Sequence, residues 1–395
     1  MALDFQQVRQ QVHELGENAL ARQQQIKTLR SKASSLLESY SEDLDRLRQK
    51  VQTVVHSYDP SLRCALPGSE PLNAHYPLPA LPSQVTLLAA DGSQINPDRH
   101  AAVNYCLINL GAIQMCSNSS EPPTISSQCK LFYDNELYTP TGTLTEDMLA
   151  LRRDLTERSL LATLVAEVGP PVITFTDGPI ELWGAKDSGG EDSEFQKSLE
   201  AYQDALNELC SLGAATAGYV DKPGANLVVR LLEVAVTPQD ELPGIRKAHP
   251  LRGVIELDLY RDLLAPGERS AVFAMQSQSA KLYEGNLGLH FFYLNVGRAG
   301  HPWLSRVEVP AWVAGNPEML DHVHASLVHQ CSILGSRPYP YLLHRAHEAA
   351  VVSQEEKEQV TQMIMMELRR RGVLVGEESY KQAAKSLGGR TRYGR

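Results

Sequence analysis

The chain has 395 residues, of which 43% are hydrophobic, and its formal net charge at pH 7 is −10. This length is enough to bury a sizeable core in one large domain or two. No apolar run reaches the roughly 20 residues that a membrane-spanning helix needs. The first residues also lack the basic and then apolar stretch of a secretion signal. We therefore expect a cytoplasmic protein without membrane contact, in which any nucleic-acid binding would need a local basic groove.

The cysteines are scattered along the chain. The six positions are Cys64, Cys106, Cys116, Cys129, Cys210 and Cys331. No two of them form a C-x-x-C pair. This pattern is typical of buried thiols in a cytoplasmic protein, and it argues against a disulfide scaffold or a thiolate zinc site.

The first part of the chain has the pattern of a long helix. Apolar residues recur at spacings of three and four between Ile26 and Val54, which predicts a coiled-coil helix of about thirty residues. Such a narrow apolar seam needs a partner helix. We favour a second copy of the chain, hence a homodimer, over a helix that folds back on its own domain. Residues 1–56 form this predicted arm, and the proline-rich residues 57–84 form a predicted connector.

From residue 85 onward, strand and helix patterns alternate, which predicts an α/β domain. The apolar run 101–115 is expected to fold back beside the strand before it. The other predicted helices cover 146–168, 195–212, 319–334, 341–352 and 355–371, and the other predicted strands cover 215–220, 271–275, 290–296 and 306–313. The polar segment 186–192 is a predicted loop.

Two short apolar runs each lead into an Asp-Gly pair. Residues 85–90 precede Asp91-Gly92, and residues 172–176 precede Asp177-Gly178. One alternative is that each pair is a plain turn. If the two runs are neighbouring strands, however, they bring two carboxylates to one edge of a sheet. Two clustered carboxylates repel unless a divalent cation neutralises them, and their oxygen atoms suit Mg²⁺ or Mn²⁺.

Other residues are candidates for the same chemistry. Glu157 precedes Asp177 by 20 residues, so its helix can pack back over the sheet; a solvated helix face is the alternative. His344 and His347 share one face of a helix near the end of the chain, and either could be the histidine of a metal site. Lys222 lies at a predicted strand end. It could bind a phosphate, or it could be an ordinary turn residue.

Some further residues are expected to have structural roles. His322, His324 and His329 have the spacing of surface or packed histidines, and Trp303 and Trp312 flank a strand in the manner of core residues. A basic tail at 379–395 suits a nucleic-acid backbone or a solvated end equally well. The chain contains no P-loop, no G-x-S-x-G elbow and no dinucleotide fingerprint.

Five motifs in order resemble the NurA nuclease family over roughly residues 85 to 355. They are Leu88-Ala89-Ala90-Asp91-Gly92-Ser93, Arg153-x-x-x-Glu157, Phe175-Thr176-Asp177-Gly178-Pro179, Gly218-Tyr219-Val220-Asp221-Lys222 and Tyr339-Pro340 followed by Ala346-His347-Glu348. Pro179 departs from the family pattern, which has a serine or an aliphatic residue there. The sum of the ordered motifs is far more specific than any one of them.

The resemblance implies a metal-dependent DNA nuclease with an RNase H-like mixed central sheet flanked by helices, in a domain spanning 85–378. Its metal would be Mn²⁺, with Mg²⁺ as a substitute. Asp91, Glu157, Asp177 and His347 would form the catalytic and metal-binding set, and Lys222 and Ser93 would contact the substrate.

Further implications concern the biological setting. The resemblance implies a homodimer that resects the ends of DNA double-strand breaks with HerA, a hexameric DNA-translocating ATPase. It also implies 5′–3′ exonuclease activity and endonuclease activity on single strands. The alternatives are a metal-dependent phosphoesterase that ignores DNA and a catalytically silent adaptor of the ATPase.

Overall fold

The structure is a computed structural model that describes residues 4–98, 101–117, 119–139, 142–184 and 193–373. The predicted loop at 186–192 and the predicted basic tail at 379–395 lie outside these residues. Among the described helices, none combines the length and the apolar character that crossing a membrane requires.

The described helices and strands include those that the sequence patterns predict and others that they do not, such as the helix at 227–236 and two strands within the predicted connector. The helices are α1 (Phe5–Ser39), α2 (Leu44–Ser57), α3 (Glu146–Val168), α4 (Glu194–Ser211), α5 (Leu227–Val236), α6 (Glu256–Tyr260), α7 (Ala311–Ala314), α8 (Pro317–Ile333), α9 (Tyr341–Ala350) and α10 (Gln354–Arg370). The strands are β1 (Cys64–Pro67), β2 (His75–Tyr76), β3 (Thr86–Ile95), β4 (Cys106–Cys116), β5 (Thr124–Phe132), β6 (Tyr138–Thr139), β7 (Gly142–Thr143), β8 (Val172–Asp177), β9 (Ala215–Asp221), β10 (Arg269–Ser270), β11 (Phe273–Gln276), β12 (Leu289–Asn295) and β13 (Leu304–Pro310).

The chain forms two compact units, each built from two separate stretches. Unit 1 comprises Met1–Ala80 and Gly218–Pro338, and unit 2 comprises Leu81–Ala217 and Tyr339–Arg395. The division of the sequence into an arm, a connector, a nuclease domain and a tail stays a prediction. The units show that the segment before residue 81 folds with a stretch that is distant in sequence.

The predicted long N-terminal helix is present as α1, but the heptad run is not one continuous helix, because it is divided between α1 and α2. The break falls at Tyr40–Asp43, where α1 ends and α2 begins. In unit 1, α1 and α2 contact α5, which is buried from Leu227 to Ala235. Lys50 of α2 fixes this arrangement, since its Nζ donates to the carbonyl oxygens of Ala235 and Thr237 at 2.8 and 2.6 Å. The second half of the apolar seam thus packs within its own unit, whereas dimerisation stays a prediction.

Unit 1 also contains an antiparallel sheet. Its strands follow the order β1–β11–β12–β13–β9, and β10 pairs with both β12 and β2. The predicted connector therefore contributes β1 and β2 to this sheet. Aromatic side chains fill its core: the rings of Phe273 and Phe291 stack at 5.7 Å, and those of Tyr260 and Tyr293 at 4.7 Å.

Unit 2 holds a mixed sheet in the order β8–β3–β4–β5. The parallel pair β3–β8 runs from Thr86↔Val172 to Ala90↔Thr176. The β3–β4 and β4–β5 pairs are antiparallel, as predicted for the run that folds back. Helices α3 and α9 both pack on β3. The α/β class and the RNase H-like mixed sheet flanked by helices are therefore confirmed.

The cysteines differ in part from the expectation. Cys64, Cys106 and Cys331 are buried, as predicted, but Cys116 and Cys129 are exposed. The two exposed residues lie at the end of β4 and in β5, whose first seven residues are exposed. A scattered spacing alone does not distinguish these strand positions from core positions.

Candidate active site

Parallel pairing places the two Asp-Gly pairs side by side in unit 2. Asp91 and Asp177 directly follow the paired residues Ala90 and Thr176 of β3 and β8. At Asp177 the strand ends, and Gly178 takes a φ of +92° that favours glycine. The expected end of the strand at Asp91 is wrong: β3 continues to Ile95, because β4 still pairs with it beyond the end of β8.

Helix α3 brings a third carboxylate to this edge of the sheet. Thr145 caps the helix by accepting a hydrogen bond from the Met148 amide at 3.2 Å. Glu157 then packs over Gly92, where an added Cβ would lie 2.7 Å from Glu157 Oε1. A side chain at position 92 would displace the Glu157 carboxylate. The glycine of this Asp-Gly pair therefore lets α3 approach the strand closely and does not form a turn.

The environment of Glu157 favours its protonated form. Glu157 is only 8% exposed. Burial, together with the negative charges of Asp154 and Asp91, raises the pKa of Glu157 to about 8. Arg153 offsets part of this effect, since its Nε lies 3.4 Å from Glu157 Oε1. Burial also raises the pKa of Asp154. Both effects favour the neutral carboxyl group over the carboxylate.

Helix α9 supplies the histidine from the opposite face of the sheet. His347 Nδ1 lies 2.6 Å from Asp91 Oδ2. His344 instead lies next to Glu348, with Nε2 3.6 Å from its Oε1, and does not line the cleft. Of the two histidines that the sequence leaves open, His347 is therefore the one that contacts the cleft, and its catalytic role stays a prediction.

Three residues of the sheet hold α9 in place. Gly111, the partner of Asp91 across β3 and β4, has no side chain and lets the helix backbone approach closely. Ser93 Oγ and Asn109 Nδ2 both donate to the Ala350 carbonyl oxygen, at 2.5 and 2.7 Å. The hydroxyl of Ser93 is thus engaged in positioning the helix, and its predicted contact with substrate stays a prediction.

Arg158 is a residue that sequence reasoning missed. It is 2% exposed, and its guanidinium donates to the Tyr202 hydroxyl and to Thr176 Oγ1 at distances of 2.9–3.2 Å. The Tyr202 hydroxyl in turn donates to the Ile180 carbonyl oxygen at 2.8 Å. Arg158 Nη1 is buried and has no hydrogen-bond partner among the residues that the structure describes. Arg158 thus links α3, α4 and β8 and adds positive charge beside the acids.

The charged groups of the site line one cleft of about 550 Å³. The cleft brings together Asp91, Glu157, Asp177 and His347, as predicted, and it adds Asp154, Arg158 and Glu181. Lys222 belongs to unit 1 and does not line it. Sequence periodicity gives no signal for Arg158, because a buried arginine and a solvated one have the same spacing on a helix.

Among the other histidines, His324 is fully buried and its Nε2 lies 2.7 Å from the Gly267 carbonyl oxygen. Burial lowers the pKa of His324 to about 4. Its neighbour His322 is partly buried and His329 is exposed. The interpretation of this group as packed or surface histidines is confirmed.

The family model for the NurA domain matches residues 85–352. The chain belongs to the NurA family. The cleft residues that the ordered motifs predicted all lie within the matched region, so the resemblance drawn from those motifs is confirmed.

Solved structures give more distant likenesses. The NurA nuclease from Sulfolobus solfataricus is 11% identical over 86% of this chain and 97% of that chain, with a TM-score of 0.47. A NurA crystallised with manganese is 12% identical over 87% and 98%, with a TM-score of 0.36. The catalytic domain of human endonuclease V is 11% identical over 71% and 85%, with a TM-score of 0.32. No curated protein matches the chain.

The donor set of this NurA-family cleft suits a hard divalent cation. It offers the carboxylates of Asp91, Glu157 and Asp177 and the imidazole of His347, and burial beside the other acids raises the pKa of Glu157. Within the described residues, however, no three His, Cys, Asp or Glu side chains stand close enough together to hold an ion. A bound cation would have to draw these side chains closer together. Asp91 and His347 already contact each other through a hydrogen bond.

We expect Gly111→Ala to destabilise unit 2. The added methyl group would overlap the backbone of α9 at Ala346, Ala349 and Ala350, so the helix must move. Overpacking of this kind costs about 1–3 kcal/mol, which urea denaturation would measure. Gly224→Ala is the matched control, because a Cβ there meets no atom within 4 Å. An equal stability of the two variants would contradict the close packing of α9.

Proposed function

We propose that this NurA-family chain is a metal-dependent DNA nuclease that hydrolyses phosphodiester bonds in the cleft of unit 2. One observation carries the proposal: a single cleft is lined by Asp91, Glu157, Asp177 and His347, which come from two strands and two helices that are far apart in sequence. Clustered carboxylates with raised pKa values are unfavourable for folding, and they are therefore a frequent sign of a functional site.

Asp91, Asp177 and Glu157 would hold Mn²⁺ or Mg²⁺. When bound, such a cation polarises the phosphate and lowers the pKa of coordinated water. The remaining steps belong to the side chains of the chain itself. Asp91 accepts the hydrogen bond from His347 Nδ1, which orients the imidazole and leaves Nε2 as the atom that takes or gives a proton.

The arginines of the cleft would act on the charge of the substrate. Arg153 and Arg158 both line it. A guanidinium beside the phosphate stabilises the negative charge that develops during hydrolysis. Because Arg158 is held by Tyr202 and Thr176, its position is fixed before substrate arrives and costs no reorganisation.

The finer assignments are also part of the proposal. They comprise 5′–3′ exonuclease activity, endonuclease activity on single strands, a role in end resection, a homodimer and a HerA-type hexameric ATPase as partner. The sequence supports the separate motor, because it contains no P-loop. The exposed apolar residues Phe5, Val12, Leu15 and Leu20 of α1 support a role for this helix in contacts with another chain.

The test is cleavage of end-labelled linear DNA by the purified protein in Mn²⁺, Mg²⁺ or EDTA, with para-nitrophenyl phosphate as a second substrate. We expect degradation of DNA that depends on the cation, with the label reporting polarity. Hydrolysis of the small phosphoester alone would replace the nuclease with a phosphoesterase. Inactivity on both substrates, with no effect of Mn²⁺ on the melting temperature, would indicate an adaptor.

A further inference from the structure

A second cleft lies in unit 1, with a volume of about 690 Å³. It is formed by the turn between β12 and β13 and by the end of α8. Its lining includes Arg261, Arg298, His301 and Trp303, together with serine hydroxyls and glycines, and it contains no acidic side chain. In a chain whose net charge is −10, a lining whose charged side chains are all basic favours an anionic ligand.

The turn that carries two of these basic residues is rigid. Arg298 and His301 bridge each other, with amide-to-carbonyl distances of 3.2 and 2.8 Å. Asn295, which is 1% exposed, accepts hydrogen bonds from the amides of Gly297 and Trp303 at 3.0 and 3.1 Å. A Cβ at Gly297 would collide with the opposite arm of the turn. The basic side chains are therefore presented from a fixed backbone.

Trp303 is oriented by contacts outside the cleft lining. Its Nε1 donates to Asp221 Oδ1 at 2.7 Å, and Lys222 Nζ lies 4.0 Å from the centroid of its ring. The ring is only partly buried, so it is not the core residue that its place beside a strand predicts. The fixed indole adds an aromatic surface to this region, and the positive charge of Lys222 over the ring stands beside the negative charge of Asp221.

We propose that this cleft is a second nucleic-acid-binding site, at which a base of a single strand stacks on Trp303 while Arg298, Arg261 and His301 bind the adjacent phosphates. Stacking surfaces beside cations are the usual means of holding single strands without regard to sequence. Guanidinium groups match the geometry of phosphate oxygens. The inference rests on the proposed nuclease function, for which it adds a contact with the substrate outside the cleavage cleft.

The test is the binding of a short fluorescein-labelled oligothymidylate to the full-length protein, followed by fluorescence anisotropy in EDTA. Without a cation the acidic cleft of unit 2 repels DNA, so the basic cleft should dominate binding. We expect Trp303→Leu to raise the Kd roughly 5- to 100-fold, as the loss of one stacked base does. We expect Arg298→Gln to raise the Kd and to lower the slope of log K against log salt by about 0.7, which corresponds to one phosphate.

Arg252→Gln is the matched control, because Arg252 is an exposed arginine of unit 1 that does not line the cleft. Arg298 is exposed as well, so its substitution leaves the fold intact even if Trp303→Leu does not. Binding by Arg298→Gln that equals the control would overturn the proposal. The proposal would also be overturned if polyglutamate displaced the probe as effectively as unlabelled oligothymidylate does. That result would indicate an acidic protein partner.

Cleavage assays on the same proteins separate this inference from the proposed function. If the wild-type protein binds the probe through Arg298 but degrades no DNA in Mn²⁺, the nuclease assignment fails and the binding site stands. If the wild-type protein degrades DNA and Arg298→Gln binds like the control, the binding site fails and the nuclease stands.

Discussion

Replacing Asp91 or Asp177 with asparagine is expected to lower the rate of DNA cleavage in Mn²⁺ by about 10³-fold or more. A divalent cation contributes several kcal/mol of charge stabilisation to phosphoryl chemistry, and each 1.36 kcal/mol corresponds to a factor of ten in rate. Each substitution removes one negative oxygen ligand but keeps the volume of the side chain. The asparagine oxygen at position 91 can still accept the hydrogen bond from the Gly92 amide, which is 2.9 Å long in the present structure.

The fold should survive both substitutions. The negative charge of Asp91 is one of the causes that raise the pKa of Glu157, so its removal relieves repulsion in the absence of metal. We expect the melting temperature in EDTA to stay the same or rise, and the increase caused by Mn²⁺ to shrink. Asp204→Asn, on an exposed position of α4 outside the cleft, is the control. Cleavage at the wild-type rate by both cleft variants would refute the assignment of the site.

Replacing Glu157 with glutamine is expected to remove the part of the pH dependence of metal-free stability that Glu157 contributes. Because the pKa of Glu157 is raised from 4.5 to about 8 in the folded protein, the folded state holds a proton that the unfolded chain releases. The contribution of Glu157 to stability is therefore complete below pH 4.5 and is lost as the pH rises toward 8. The interval between the folded and unfolded pKa values corresponds to a decrease of up to about 5 kcal/mol in the free energy of unfolding.

Urea denaturation in EDTA at pH 5 and pH 8 would measure this effect. We expect Glu157→Gln to match the wild-type protein closely at pH 5 and to exceed its free energy of unfolding by several kcal/mol at pH 8. Mn²⁺ should reverse the order at pH 8, since a cation stabilises the ionised carboxylate. Glu167→Gln, an exposed position on the same helix, is the control. A difference between wild type and Glu157→Gln that is the same at both pH values would show that Glu157 is already ionised at pH 5.

The stretch from 85 to 177 shows how far local patterns lead. The apolar periodicity of residues 146–168 predicts α3 with the bounds that the structure has. The repeated strand and Asp-Gly pattern correctly predicts that Asp91 and Asp177 come together. These predictions succeed because each depends on neighbours a few residues away, either on one face of a helix or at the end of one buried run.

Other features depend on partners that are distant in sequence. Both the extension of β3 beyond Asp91 and the close approach of α9 over Gly111 result from pairing with β4. The division of the N-terminal helix into α1 and α2 follows from packing on α5 in unit 1. Trp303 is only partly buried because it lies at a turn between two strands. No periodicity within a single segment encodes such contacts.

The sequence by itself determined the family, the α/β class and the pairing of Asp91 with Asp177, because these are properties of residue type, order and local spacing. Only the tertiary structure decided that His347 and not His344 faces the acids, that Arg158 is buried beside them and that Lys222 belongs to another unit. Each of these depends on which surfaces meet when distant segments fold together. The burial that results sets the pKa of Glu157 and with it the charge of the site.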